Sequence, residues 1–164
     1  GVVSCTTGSM DLVSDIPDSH LTASSSYYDG NNHGPERARL NTEVTSDGKA
    51  RGAWCANGSE SEHWIQARLN SIKTIVGIVT QGRQDYQHWV TRYTMAYSTD
   101  GSQWTDYTAV GQSEPWVFDG NSDQNTLMVN YLLDQTPLLR ATFIRIYPKA
   151  ATGMCMRFGI LGCD

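Results

Sequence analysis

The sequence predicts an all-β sandwich or barrel. Short apolar or alternating segments recur between clusters of Gly, Asp, Asn and Ser, and helical periodicity is hard to find anywhere in the chain. Its 164 residues fit one domain over 1–164, and a domain of that size buries about 70% of the surface its unfolded chain would expose.

The elements follow in order. Residues 63–69 read as one strand and 73–81 as the next, ended by Gly82. Residues 91–98 alternate, with Tyr93, Met95 and Tyr97 on one face. Asp100-Gly101 then turns the chain into 103–107, the clearest hairpin. Segments 116–118, 126–132, 141–147 and 155–161 bring the total to about eight strands. The longest stretch without strand character is 23–53, which carries Gly30, Gly34, Gly48 and Gly52 among polar residues. A loop region of that length in a small domain is functional or disordered. Tyr27, Tyr28 and His33 within it favour binding, because aromatic rings offer contact area at low entropic cost.

Composition narrows the partners. A formal charge of −5 opposes non-specific attraction to phosphate backbones and to anionic membranes, local basic patches aside, so nucleic acid is not expected as a partner. No run of about 18 apolar residues is present to span a bilayer. The chain starts at Gly1 with no basic and apolar leader ahead of it, so any secretion signal is expected to have been removed or to lie outside this sequence.

The four cysteines, Cys5, Cys55, Cys155 and Cys163, include no Cys-x-x-Cys pair and no His placed to complete a zinc finger. Disulfides, and hence an oxidising compartment, are the better reading. Three pairings are open. The one joining Cys5 to Cys163 would fasten the chain ends together and contribute about 5 kcal/mol as an upper guide. Asn57-Gly58-Ser59 is a glycosylation sequon, which agrees with secretion.

Catalytic signatures are absent. There is no Gly-x-Ser-x-Gly elbow, no His-Glu-x-x-His and no phosphate-cradling glycine loop. His20, His33, His63 and His88 are scattered, and lone histidines are more often packing or surface residues than bases. Asp100 reads as turn chemistry and Asp106 as part of a solvated face. The expectation is a binding module with no catalytic residue, no cofactor and no metal.

Several motifs nevertheless follow one another in an ordered way: Leu21-Thr22-Ala23-Ser24-Ser25, Ala38-Arg39-Leu40-Asn41, Trp64-Ile65-Gln66, Thr80-Gln81-Gly82-Arg83, Tyr97-Ser98-Thr99-Asp100-Gly101, Asp119-Gly120-Asn121-Ser122, Arg145-Ile146-Tyr147-Pro148 and Gly162-Cys163. In order and spacing, from Cys5 to Cys163, they resemble the discoidin domains, the C domains of the coagulation factor V and VIII type. Trp54-Cys55 and Cys155-Met156-Arg157 look most like the discoidin-domain collagen receptors. Gln81-Gly82-Arg83 and Trp89-Val90-Thr91-Arg92-Tyr93 are similar to retinoschisin and the contactin-associated proteins.

The resemblance implies an eight-stranded jelly-roll β-sandwich, extracellular, with Cys5 paired to Cys163 and Cys55 to Cys155. It also implies that ligands meet the loops at one end, here 27–34, 49–62, 81–88 and 150–154. Within these, Tyr27, Tyr28, His33, Arg51, Arg83, Asp85 and Tyr86 offer the aromatic faces and charged hydrogen-bonding groups of a recognition surface. Trp54, Trp64 and Trp89 read as core or loop anchors.

Departures bear on the ligand. The collagen receptors carry a Trp, an acid and an Asn where this chain has Tyr27, Arg51 and Gly153. Neuropilin-like capture of a C-terminal arginine uses an aspartate where Ser59 stands, with Glu60 beside it. The first loop, Tyr28 to His33, is polar, unlike the apolar spikes of phosphatidylserine-binding relatives. Many members carry a Glu where Gly159 stands, an acid that helps hold calcium in carbohydrate-binding relatives. The expected partner is therefore an extracellular protein or a glycan, with anionic phospholipid membranes as the alternative.

Overall fold

The computed structural model describes residues 5, 9–28, 32–58, 62–132 and 137–164. Among them ten strands run in chain order: β1 (Met10–Asp11), β2 (Leu21–Ala23), β3 (Trp54–Cys55), β4 (Ile65–Gln81), β5 (Val90–Ser98), β6 (Thr105–Asp106), β7 (Phe118–Asp119), β8 (Met128–Tyr131), β9 (Arg140–Ala151) and β10 (Cys155–Cys163). They form one curled, wholly antiparallel sheet in the order β1-β10-β4-β9-β5-β6, with β2 and β8 on β4, β3 on β10 and β7 on β5. The all-β jelly-roll expectation holds.

The two strands read over 63–69 and 73–81 are one. In β4 the first part pairs with β2 and β9, whereas the last part pairs with β8 and β10. The β9 register shifts between Arg68 and Lys73, where Asn70, Ser71 and Ile72 are exposed. This irregularity bends the strand, so β4 carries one layer of the sandwich round into the other. Before the bend Ile65, Ala67 and Leu69 alternate inward with the exposed Arg68 and Asn70. Beyond it, from Thr74 to Gln81, all but Val76 are buried, because both faces are covered.

The core between the layers contains Trp54, Ile65, Ile78, Tyr93, Met95, Ile144, Ile146, Met156, Phe158 and Ile160, each fully buried. Every aliphatic or Phe side chain of this size contributes about 1.5–3 kcal/mol by leaving water. Tyr93 stacks on Phe118 at 5.1 Å, and Tyr107 on Phe118 at 5.4 Å. The hairpin after β5 closes as expected. Asp100 Oδ1 accepts the backbone N–H groups of Ser102 and Gln103 at 2.9 Å, and Gly101 takes φ +81°, the left-handed region that favours glycine. These hydrogen bonds, led by that from Gln103, hold the Asp100 carboxyl down to about 2.

Both disulfides pair as the resemblance implies. Cys5–Cys163 joins the N-terminal segment to the end of β10 with Cα atoms 5.7 Å apart, and Cys55–Cys155 links directly opposed residues of β3 and β10 at 4.0 Å. At Gly159 the space an acidic side chain would enter is taken by Leu40 and by β1, since a Cβ there would come within 2.7 Å of Leu40 Cδ1 and 2.9 Å of the Asp11 carboxyl. Asp11 Oδ1 accepts the N–H groups of Val13 at 3.0 Å and Ile160 at 3.2 Å, and burial raises its carboxyl above the ordinary range.

Candidate functional site

No strand is present among the described residues of 24–53. The backbone there is ordered instead by hydrogen bonds to its neighbours. Tyr27 N–H donates to Cys55 O at 2.8 Å and Cys55 N–H to His33 O at 3.1 Å, so the first loop is tied to β3 at both ends. Arg51 N–H donates to Asn32 O at 2.8 Å, and Trp54 Nε1 to Ser25 O at 2.9 Å. A short 3₁₀ turn, Pro35–Ala38, buries Ala38 and places Arg37, whose Nε donates to Arg51 O at 2.7 Å.

The 81–88 loop is positioned by a buried arginine. Arg157, on β10 and 1% exposed, donates Nε to Gly82 O at 2.7 Å, Nη1 to Thr42 O at 3.0 Å, and Nη2 to Gln124 O and Asn125 Oδ1, both at 2.8 Å. Desolvation pulls its guanidinium down to about 10, and the acceptors satisfy it where water cannot. Gln84 N–H then donates to Gly52 O at 3.1 Å, and Gly52 N–H to Asp85 Oδ1 at 3.0 Å, zipping this loop to the 49–53 segment.

These restraints form a cleft of about 520 Å³ lined by Tyr27, His33, Arg51, Arg83 and Tyr86, with the Cys55–Cys155 disulfide, Ala56, Gly58, His88, Gly153 and Met154 completing the wall. Five of the seven predicted contact residues therefore meet in one concavity. Of the other two, Asp85 braces the cleft from an adjoining depression: its Oδ1 accepts Arg83 Nε at 2.8 Å, and its Oδ2 lies 3.8 Å from Arg51 Nη1. Burial alone would raise this carboxyl, but hydrogen bonds from Arg83 and Gly52 more than offset that and hold it below the usual range. Tyr28, 85% exposed, meets Tyr27 edge-on at 4.4 Å outside the cleft wall.

His88, the last residue of the 81–88 loop and not among the seven named contacts, puts its ring in the wall, 4.5 Å from Tyr86 and with Nδ1 3.9 Å from Cys155 Sγ. It occupies the place that a side chain at 153 would need, since a Cβ added to Gly153 would come within 2.2 Å of the imidazole. Desolvation, helped by Arg83, lowers its pKa, so the ring is neutral at physiological pH. Cys55 and Met154 lie in the 49–62 and 150–154 loops, but they are not among the seven side chains named for recognition. The family resemblance implies the Cys55–Cys155 bridge, and nothing in the sequence signals that the bridge lines the cleft.

Trp54 is buried in the core, while Trp64 instead covers Arg145, whose guanidinium lies 4.1 Å from its ring and 4.3 Å from that of Trp104. Asn57 is exposed beside Gly58 on the cleft rim, its N–H donating to Ser25 Oγ at 2.9 Å. Ser59 and Glu60, singled out for arginine capture, and residues 29–31 of the first loop lie outside the described residues.

The model of the F5/8 type C domain matches residues 20–160. Lactadherin from Bos taurus is 37% identical over 155 residues, covering 90% of this chain and 34% of its own length. Discoidin domain-containing receptor A from Caenorhabditis elegans is 36% identical over 157 residues, covering 91% of this chain and 19% of that one. The chain thus spans about a third or less of these relatives. Among solved structures, wild-type discoidin II from Dictyostelium discoideum superposes with a TM-score of 0.80 at 24% identity, over 98% of this chain and 60% of the other.

Proposed function

This chain belongs to the F5/8 type C domain family, and on that premise we propose that it is an adhesion and recognition module. Its ligand, a cell-surface or matrix protein or a glycan, is taken by Tyr27, His33, Arg51, Arg83 and Tyr86, with Tyr28 and Asp85 in support. The domain is extracellular, as its two disulfides and its likeness to a receptor indicate.

One observation carries the reading. Tyr27 and His33, Arg51, and Arg83 and Tyr86 come from three separate loop segments, none of them belongs to the hydrophobic core, and they converge on a concave surface of rings and guanidinium groups. Such a surface combines large contact area with few rotatable bonds and a small number of directional polar groups, the composition of binding hot spots. The work is binding rather than catalysis, because the described lining residues include no nucleophile held by a base.

A glycan array run beside a panel of matrix proteins tests the assignment. Saturable binding to a member of either class is expected, and silence across both sinks it. A second reading, docking onto an anionic phospholipid surface, is favoured by Tyr28, a ring 85% exposed at the edge of the first loop. Sedimentation with phosphatidylserine vesicles against neutral ones distinguishes it: selective retention by the anionic vesicles transfers the function to membranes.

A further inference from the structure

The domain as a whole carries −5, but the cleft is cationic. Among its described lining residues Arg51 and Arg83 are the charged groups, and Asp85 is the one carboxylate that reaches them. That carboxylate is committed to Arg83: Oδ1 accepts Nε at 2.8 Å and also Gly52 N–H, while Oδ2 accepts Nη2 at 3.4 Å. Arg51 is left over. Its Nη1 stands 3.8 Å from Asp85 Oδ2, too far for a hydrogen bond. Its buried Nε has no hydrogen-bond partner among the described residues.

The Arg51 backbone is nevertheless pinned on both sides, by its N–H to Asn32 O and by Arg37 Nε to its carbonyl. With its backbone held and its side chain 42% exposed at the cleft wall, Arg51 can receive a planar anion, because its guanidinium fork matches a carboxylate in two parallel hydrogen bonds. The rest of the cleft is not made for charge. Tyr27 and Tyr86 contribute rings that are 42% and 56% exposed, and Met154, Ala56 and the Cys55–Cys155 bridge add apolar wall. At about 520 Å³ it suits a small ring-bearing group, whereas a protein face buries about 800 Å² per partner.

We propose that the group seated in this cleft is an acidic saccharide, its carboxylate received by Arg51 and its ring laid against Tyr27 and Tyr86. This rests on the reading of the cleft as the recognition site and names the ligand class within it.

Matched pairs of probes isolate the carboxylate: sialyllactose against lactose, and methyl β-glucuronide against methyl β-glucoside, titrated by calorimetry. The acidic member of at least one pair is expected to bind about tenfold or more tightly, a charged hydrogen-bonded pair being sufficient for that. The preference should weaken in 0.5 M salt. In Arg51→Gln the acid-to-neutral ratio should fall toward one with the thermal midpoint held, and Arg51→Lys should recover only part of it. Equal binding of acid and neutral sugars overturns the carboxylate and leaves the cleft standing. An acetylated hexaglutamate peptide that binds through Arg51 where no sugar acid does overturns the saccharide. No binding of any probe overturns the inference, and the cleft itself is then judged by Tyr27 and Arg83 variants against whole cells and matrix.

Discussion

Arg157 Nε donates to the carbonyl of Gly82 at 2.7 Å from a position 1% exposed on β10. The same guanidinium holds Thr42, Gln124 and Asn125, so one core side chain fixes the three loops that support the cleft. Arg157→Leu strands these acceptors in a buried site, at about 1–3 kcal/mol for each left unsatisfied. A loss of at least about 3 kcal/mol in urea unfolding is expected. Arg157→Lys should retain only part of the stability, because an ammonium cannot span the same fork. Unfolding midpoints of the two variants check this, and a Leu variant as stable as wild type contradicts it.

The two bridges should separate in their effects. Removing Cys5–Cys163 or Cys55–Cys155, by paired Ser substitutions, should each cost up to about 5 kcal/mol through the freed loops of 158 and 100 residues. Only the second forms part of the cleft wall. Binding by the still-folded fraction should therefore survive loss of the terminal bridge and fall on loss of the Cys55–Cys155 bridge. Calorimetric unfolding together with affinity at low temperature measures both.

Gly153 holds its place by being small. Gly153→Asn puts a side chain into the His88 ring, and overpacking of this kind costs about 1–3 kcal/mol. The imidazole must swing away, altering the wall between Tyr86 and Cys155. Shifted His88 ring resonances and weakened ligand binding are expected; unmoved resonances would mean the ring never occupied that space.

Acid sensitivity should show at the β5–β6 turn. Asp100 has its carboxyl held near 2 by the Gln103 and Ser102 N–H groups, below the usual 3.8. A depressed carboxyl contributes stability that is fully present above the unfolded value and is lost as pH falls through the folded one. The contribution of this turn should therefore disappear between about pH 4 and 2, and Asp100→Ala should flatten the stability profile in that window. A carboxyl-carbon titration by NMR with a midpoint near 4 would contradict the account.

Much of this was legible in the residues themselves. Alternation in 91–98 and the Asp100-Gly101 turn located β5 and its hairpin, because a period of two and a left-handed glycine are local properties. The bend in β4 was not legible: Asn70, Ser71 and Ile72 resemble a loop between strands, and only pairing with β9 on one side and β8 and β10 on the other makes the segment continuous. Met10–Asp11 and Leu21–Ala23 were too short to display a period. Within the cleft, aromatic and charged loop residues signalled themselves by type. His88 did not, since its role follows from the missing side chain at Gly153, a relation across 65 positions that no local pattern carries.

If the ligand retained in the array or matrix screen sits in the cleft lined by Tyr27, His33, Arg51, Arg83 and Tyr86, its affinities for Tyr27→Ala and Arg83→Ala register that placement. Each variant should keep both disulfides and a cooperative thermal transition while losing about tenfold or more in affinity, the loss expected when a hot-spot side chain is truncated. Folded variants that both bind as tightly as the wild-type domain would place recognition elsewhere on the sandwich.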